Sequence, residues 1–156
     1  MAARAQDVGP LGEGQRAPSA VLYRPDGQAV VLADLDARQP AVLIFYRGGW
    51  CPYCNTHLGQ VAQAEPELVK PGYQVLAISP DGPEALRATL DKGSYKYQLL
   101  SDRDMTLSKA FGLAFHVDEP TVQKYRGFGI DLDKASGRDH HLLPVPAVYI
   151  VDRQGV

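Results

Sequence analysis

Cys51 and Cys54 are the residues whose type and spacing point most directly to chemistry, set in the run Trp50-Cys51-Pro52-Tyr53-Cys54 with no other cysteine in the chain. For two positions scattered at random, a separation of three is on the order of a one-in-a-hundred event, so the two thiols are read as a unit. A thiolate, not a thiol, is the nucleophile, and the unpaired amides and positive dipole end of a helix start favour the negative charge. Cys51 is expected at or just before such a start, with its pKa drawn from ~8.5 towards or below 7. Cys54, one helical turn later on the same face, would be near enough to attack a mixed disulfide at Cys51 and release the product. In a reducing compartment a pair of this kind is catalytic, redox-sensing or metal-binding more often than a permanent crosslink.

The neighbours of the pair carry two readings each. Arg47 adds positive potential on the approach side or is a solvent-facing loop charge, and Trp50 walls the thiols from water or is a packing residue. Cys51, Cys54 and His57 are spaced like three zinc ligands, but a structural zinc site usually has four, and the other histidines lie far along the chain. No metal and no cofactor are therefore assigned, and His57 is read as a solvated or capping residue. His140 and His141 fall in an irregular stretch and receive no role, and Tyr95 and Tyr97 read as core packing.

The elements that must position the thiols follow from periodicity. Ala41 to Tyr46 (AVLIFY) is a continuous apolar run, the pattern of a parallel strand buried on both faces. The loop Arg47-Gly48-Gly49-Trp50 follows, then a helix over 52–68 with Leu58, Val61, Ala62 and Leu68 on one face, which Pro66 is expected to kink or end early. Upstream, residues 20–24 and 28–32 make a hairpin around Pro25, Asp26 and Gly27, and Asp34 caps a brief helical turn. Downstream come a strand over 73–78, a loop delivering Pro83 to the first position of a helix that Gly93 stops, and a strand near 97–100. Asp102 or Asp104 caps a helix through Phe111, and Gly112 suits its left-handed end. Residues 116–141 show no sustained period and are expected to be an irregular insertion with at most one short helix near 120–125. A strand over 148–151 and a turn at 152–155 close the chain, and with the sequence ending at Val156 the domain is expected to lack a partner strand and a helix.

Alternating strands and helices indicate an α/β domain with a mixed central sheet, residues 17–156, preceded by a flexible lead-in at 1–16. A chain of 156 residues, 45% hydrophobic and 22% charged, can bury a core without a disulfide staple. The net charge of -2 and the absence of like-charge runs argue against nucleic-acid or membrane-surface partners. No stretch approaches the ~20 apolar residues of a membrane span and no secretory signal is visible, so a soluble, cytoplasmic protein is expected.

At FYRGGWCPYC the chain resembles the AhpC/TSA group of peroxiredoxin-like proteins in the thioredoxin superfamily. GEGQRAPSAVLYRPDGQAVVLADL is similar to that group's N-terminal hairpin, LAISPDGPEAL to its second strand and following loop, and LPVPAVYIVDRQG to its late strand. The resemblance implies a thioredoxin-like fold with a peroxiredoxin-like insertion, and Pro146 matches the superfamily's cis-proline, which would lie beside the dithiol. Two departures stand out. Where the family pattern resembles PxxxTxxC, this chain has Arg47, Cys51 and Cys54, so Cys54 matches the peroxide-attacking cysteine and Cys51 replaces the assisting threonine. Pro146 also stands where the family has an arginine, a role open to Arg47 or Arg126. The tetrapeptide Cys-Pro-Tyr-Cys is itself that of glutaredoxins.

The function expected is a thiol-dependent oxidoreductase that reduces hydroperoxides, disulfides or both through a Cys51/Cys54 dithiol-disulfide cycle. Cys51 is favoured as the attacking sulfur for disulfides and Cys54 for peroxide, with Arg47, Trp50 and Pro146 supporting. An external thiol such as thioredoxin or glutathione would restore the dithiol, and a homodimer is left open. The competing reading is a redox-sensing or zinc-binding interaction module without turnover.

Overall fold

The computed structural model describes residues 2–93 and 95–156. Its centre is the apolar run identified above. β3 (Ala41–Phe45) is buried at every position, because the strand is flanked in the sheet and covered on both faces. Successive side chains alternate between the faces. Leu43 and Phe45 enter one apolar cluster with Leu22, Leu76, Ile78 and Phe111, while Val42, Ile44 and Tyr46 enter another with Leu58, Val75, Leu86 and both cysteines.

The chain reaches β3 through a 3-10 turn (Ala5–Asp7), the hairpin of β1 (Val21–Tyr23) and β2 (Ala29–Val31), and α1 (Leu32–Arg38). The hairpin turn matches its sequence signal. Gly27 adopts φ 88°, and Asp26 accepts the Gln28 amide at 3.0 Å. α1 starts two residues before Asp34, which sits in its first turn instead of capping it. After β3 come α2 (Pro52–Val69), β4 (Gln74–Ser79), α3 (Pro83–Lys92) and β5 (Gln98–Ser101). The six strands of the main sheet lie in the order β2-β1-β5-β4-β3-β8, where β8 is Ala147–Val151. β3, β4 and β5 run parallel, and β1 and β8 are antiparallel to their neighbours β5 and β3. The sheet is mixed, as expected.

Three further expectations change. α2 continues through Pro66 to Val69: the proline is exposed and close to the helix end, so its one missing bond does not break the element. α4 (Thr106–Ala110) is capped by neither aspartate at the N-cap itself, where Met105 stands in a left-handed conformation with φ 59°. Asp102 nevertheless supplies the acceptors, taking the Leu107 amide at 3.1 Å and the Ser108 amide and hydroxyl at 2.8 Å each.

The third change is in the insertion, which is ordered rather than irregular. Residues 116–141 hold α5 (Glu119–Gly127) and α6 (Leu132–Ser136), and the strands that flank them, β6 (Ala114–His116) and β7 (Leu142–Pro144), pair antiparallel in a sheet of their own. Both helices are capped by aspartates: Asp118 accepts the Thr121 amide at 2.9 Å and Asp131 the Lys134 amide at 3.1 Å. Their apolar stripe is too short to show a period. Val122 is the buried residue of α5, and Leu132 and Ser136 those of α6.

Candidate active site

The site lies where β3 and β4 both end, at the carboxyl edge of the parallel strands. β3 delivers Tyr46 and the Arg47–Trp50 loop, α2 begins at Pro52, and β4 leads through Ser79 and Pro80 to Asp81. Open α/β sheets gather chemistry at this edge, because loops from adjacent strands converge there.

Cys51 is the N-cap of α2, with Pro52 preset for the first helical position. Its Sγ accepts the Cys54 amide at 3.4 Å, so the sulfur takes the place that a serine or aspartate oxygen holds in an ordinary cap. Cys54, one turn on, faces the core side of α2. Cys51 and Cys54 are 8% and 6% exposed and both are free thiols, so the dithiol is largely shielded from solvent.

Burial decides the behaviour of Cys54. Its thiol is pushed up to about 11 by desolvation first, then by its hydrogen bond to Cys51, against the pull of the Arg47 and Gly48 backbone amides. Desolvation outweighs the acidifying pull of the backbone at this cysteine, which sits inside the first turn among Ile44, Tyr46 and Leu58. Tyr46 is buried in the same way, its hydroxyl raised by desolvation and by Asp81.

The loop itself is tightly held. Gly49 donates its amide to Asp81 Oδ2 at 2.8 Å, its carbonyl accepts Asn55 Nδ2 at 2.7 Å, and the Gly48 carbonyl accepts the Cys51 amide at 3.2 Å. Both glycines are required by close approach. A Cβ on Gly48 would fall 2.8 Å from Asp81 Oδ1 and against the Trp50 indole, and one on Gly49 would run into the Thr89 hydroxyl.

Asp81 is 2% exposed, and desolvation raises its carboxyl to about 6 despite the Gly49 amide. Sequence reasoning passed over it. Ser79-Pro80-Asp81-Gly82 reads as turn chemistry, and the usable signal was an acidic residue directly after a fully apolar parallel strand.

Trp50 joins the site to the insertion. Its ring stacks obliquely on Tyr125 of α5 with centroids 5.6 Å apart, and the indole belongs to the apolar clusters on both sides. Arg47 is half-buried between two hollows. One is a cavity of about 10 Å³, the space of a single water, shared with Trp50, Asp81, His140 and His141. The other is an open cleft of about 300 Å³ beside Phe115, Val117 and Tyr125.

His140 and His141, given no role above, tie the insertion down. His140 Nδ1 accepts the Leu142 amide at 3.0 Å, so its Nε2 carries the proton and donates to the Arg103 carbonyl at 2.7 Å. His141 Nε2 lies 2.7 Å from Asp133 Oδ1. Arg126, named above as an alternative arginine, is instead 3.4 Å from Asp133.

Pro146 lies at the same end of the sheet, since Ala147 pairs with Phe45. No cis peptide bond occurs among the described residues, so the expected cis-proline is trans. The intrinsic preference of about 0.5–1 kcal/mol for trans before proline is kept here. Among the described residues no group of three or more His, Cys, Asp or Glu side chains converges as a metal site, and no helix is long and apolar enough to cross a membrane.

A buried dithiol at the start of the helix after the central strand is one mark of a thiol-dependent oxidoreductase, and residues 13–156 match the AhpC/TSA family. The chain belongs to the AhpC/TSA family. Among its relatives, the Escherichia coli K12 protein "Peroxiredoxin Bcp" is 34% identical over 106 residues, 68% of this chain and 67% of that one. "Putative peroxiredoxin bcp" of Haemophilus influenzae is 31% identical over 106 residues, 68% of each. Solved peroxiredoxins share the thioredoxin-like fold. Reduced Prx3 of Vibrio vulnificus in complex with hydrogen peroxide superposes with a TM-score of 0.75 at 21% identity, over 94% of this chain and 83% of that one. BcpB of Mycobacterium tuberculosis gives 0.71 at 20% identity, over 91% and 79%. This AhpC/TSA chain is accordingly a thiol-dependent oxidoreductase of the peroxiredoxin type.

Proposed function

We propose that the protein reduces hydroperoxides through a disulfide formed between Cys54 and Cys51. The observation that carries this reading is the placement of the two cysteines across the first turn of α2, where the Cys51 sulfur accepts the Cys54 amide at 3.4 Å and acts on the Cys54 thiol together with the Arg47 and Gly48 amides. The Cys54 thiolate attacks one peroxide oxygen, the O–O bond breaks, and the departing alkoxide takes up the proton that Cys54 gave up. The resulting sulfenic acid is attacked by Cys51, whose sulfur is already in reach: the S–S bond forms, the S–O bond breaks, and hydroxide leaves with the Cys51 proton as water. Two external thiol groups, both from one thioredoxin or one from each of two glutathione molecules, then return the disulfide to the dithiol and are themselves oxidised to a disulfide. Arg47 supplies positive potential at the entrance, Trp50 limits water, and Pro146 borders the opening from the neighbouring strand. The site of action proposed is the cytoplasm, where thiol reductants are plentiful.

A second reading rests on the raised Cys54 thiol. With Cys54 holding its proton, Cys51 at the helix tip is the sulfur poised to open a disulfide substrate, and Cys54 would resolve the mixed disulfide.

Single-turnover reactions of Cys51→Ser and Cys54→Ser with hydrogen peroxide separate the two. Under the first reading Cys51→Ser accumulates a sulfenic acid that dimedone traps at Cys54, and Cys54→Ser does not react. A trappable sulfenic acid at Cys51 in Cys54→Ser, with none at Cys54, contradicts it.

A further inference from the structure

The Arg47–Gly49 loop is tied on both sides: the Gly49 amide is held by Asp81 Oδ2 at 2.8 Å, and the Gly48 carbonyl accepts the amide of Cys51 at 3.2 Å. The two amides before Gly49, those of Arg47 and Gly48, favour the Cys54 thiolate. The backbone there has little freedom to redistribute them. Gly48 is wedged between the Trp50 indole and Asp81 Oδ1, and Gly49 against Thr89 of α3, while Asn55 Nδ2 holds the Gly49 carbonyl at 2.7 Å. Asp81 is itself fixed from behind, its amide donating to Ser79 Oγ at 3.3 Å, and it is 2% exposed. Burying a carboxylate is costly unless it is well used. A neutral side chain would fill this place at lower cost.

We propose that Asp81 is a positioning residue for the dithiol: by gripping the Gly49 amide it keeps the two preceding amides turned towards Cys54, where they stabilise the thiolate. This rests on the dithiol reading above and adds to it the group that sets the reactivity of Cys54. Asp81 acts through the loop and touches neither sulfur nor substrate in the role assigned to it. The charged and titratable groups around it are the hydroxyl of Tyr46, the residue after β3, Arg47 from the loop itself, and His140 and His141 from the insertion across the small cavity. None of these takes the Gly49 amide. That bond belongs to Asp81.

The proposal separates the carboxylate's two properties, its acceptor oxygen and its charge. Asp81→Asn keeps an oxygen for the Gly49 amide and loses the charge, and Asp81→Ala loses both. The reading is the pH dependence of iodoacetamide alkylation at Cys54 in the Cys51→Ser background, resolved by mass spectrometry, which reports thiol acidity whatever the substrate. Asp81→Ala should move the Cys54 profile to higher pH by half a unit or more, because the amides are released. Asp81→Asn should leave it in place or move it lower, because the grip is kept and a nearby negative charge is gone.

A folded Asp81→Ala variant with the parent profile overturns the proposal, as does an equal upward displacement in both variants. Should Asp81→Ala not fold, the Asp81-containing protein carries the test. The Asp81 carboxyl carbon is followed by NMR through its titration, which keeps it distinct from His140 and His141. The amide protons of Arg47, Gly48 and Gly49 should then move together with that carbon. Movement confined to Gly49 overturns the relay. If the alkylation profiles behave as expected while peroxide is not consumed, the role of Asp81 stands and the peroxidase reading falls.

Discussion

At the scale of single residues, the dithiol stands between two opposing demands. A nucleophilic sulfur must ionise, and a sulfur this deeply buried resists ionisation, so Cys54 is held well above an ordinary cysteine. Backbone amides are the available counterweight. They cost no side-chain entropy and cannot be titrated away, which makes the geometry of the Arg47–Trp50 loop as consequential as the cysteines themselves. Gly49 tests this directly. A methyl group there meets the Thr89 hydroxyl, so Gly49→Ala should destabilise by about 1–3 kcal/mol in urea unfolding, the usual cost of overpacking. Adding Thr89→Ala should recover a large part of the loss. Equal stability of Gly49→Ala and the parent would mean that the loop is not constrained as described.

At the scale of elements, the parts legible in the sequence are those that bury a continuous or periodic apolar surface. β3 is readable because both its faces are covered, and α2 because Leu58, Val61, Ala62 and Leu68 line the side packed on the sheet. The dithiol's place at the helix start followed from Pro52 and the strand before it. The insertion was opaque for the converse reason: α5 and α6 each bury one or two residues, so their helical character is set by the Asp118 and Asp131 caps and by tertiary contact with Trp50. Asp81 was hidden because an aspartate after a strand is, by composition, a turn residue, and its contact with Gly49 spans loops distant in sequence. Capping energetics give the element-scale prediction. Asp118→Ala should cost about 1 kcal/mol of stability and loosen Tyr125 under Trp50, read as a red shift and increased quenching of the Trp50 fluorescence. Stability and emission indistinguishable from the parent would show that α5 is held by packing alone.

At the scale of the whole molecule, buried carboxyls couple folding to pH. Asp81 and Asp36 are each raised to about 6 by desolvation, and Asp102 is raised by the same cause. An acid whose folded pKa lies above its unfolded value of ~3.9 binds its proton more tightly in the native state. Its contribution to stability is therefore fully present below about pH 4 and is lost as pH rises through about 6. Asp81→Asn removes one such group. The stability of this variant relative to the parent should rise by roughly 2–3 kcal/mol between pH 4 and pH 8, measured as urea midpoints at a fixed slope. A constant difference across that range would place the Asp81 carboxyl in a far more polar setting than the structure gives it.

The central claim, that Cys51 and Cys54 act as one redox unit, is tested most directly by treating the reduced protein with one equivalent of hydrogen peroxide, without reductant, and counting alkylatable thiols by mass spectrometry. The account predicts the loss of both thiols together, with a mass lower by two hydrogens, in a single species in which the two cysteine peptides are joined. Loss of one thiol alone, with an oxygen retained on the protein and the other cysteine still free to alkylate, would contradict it.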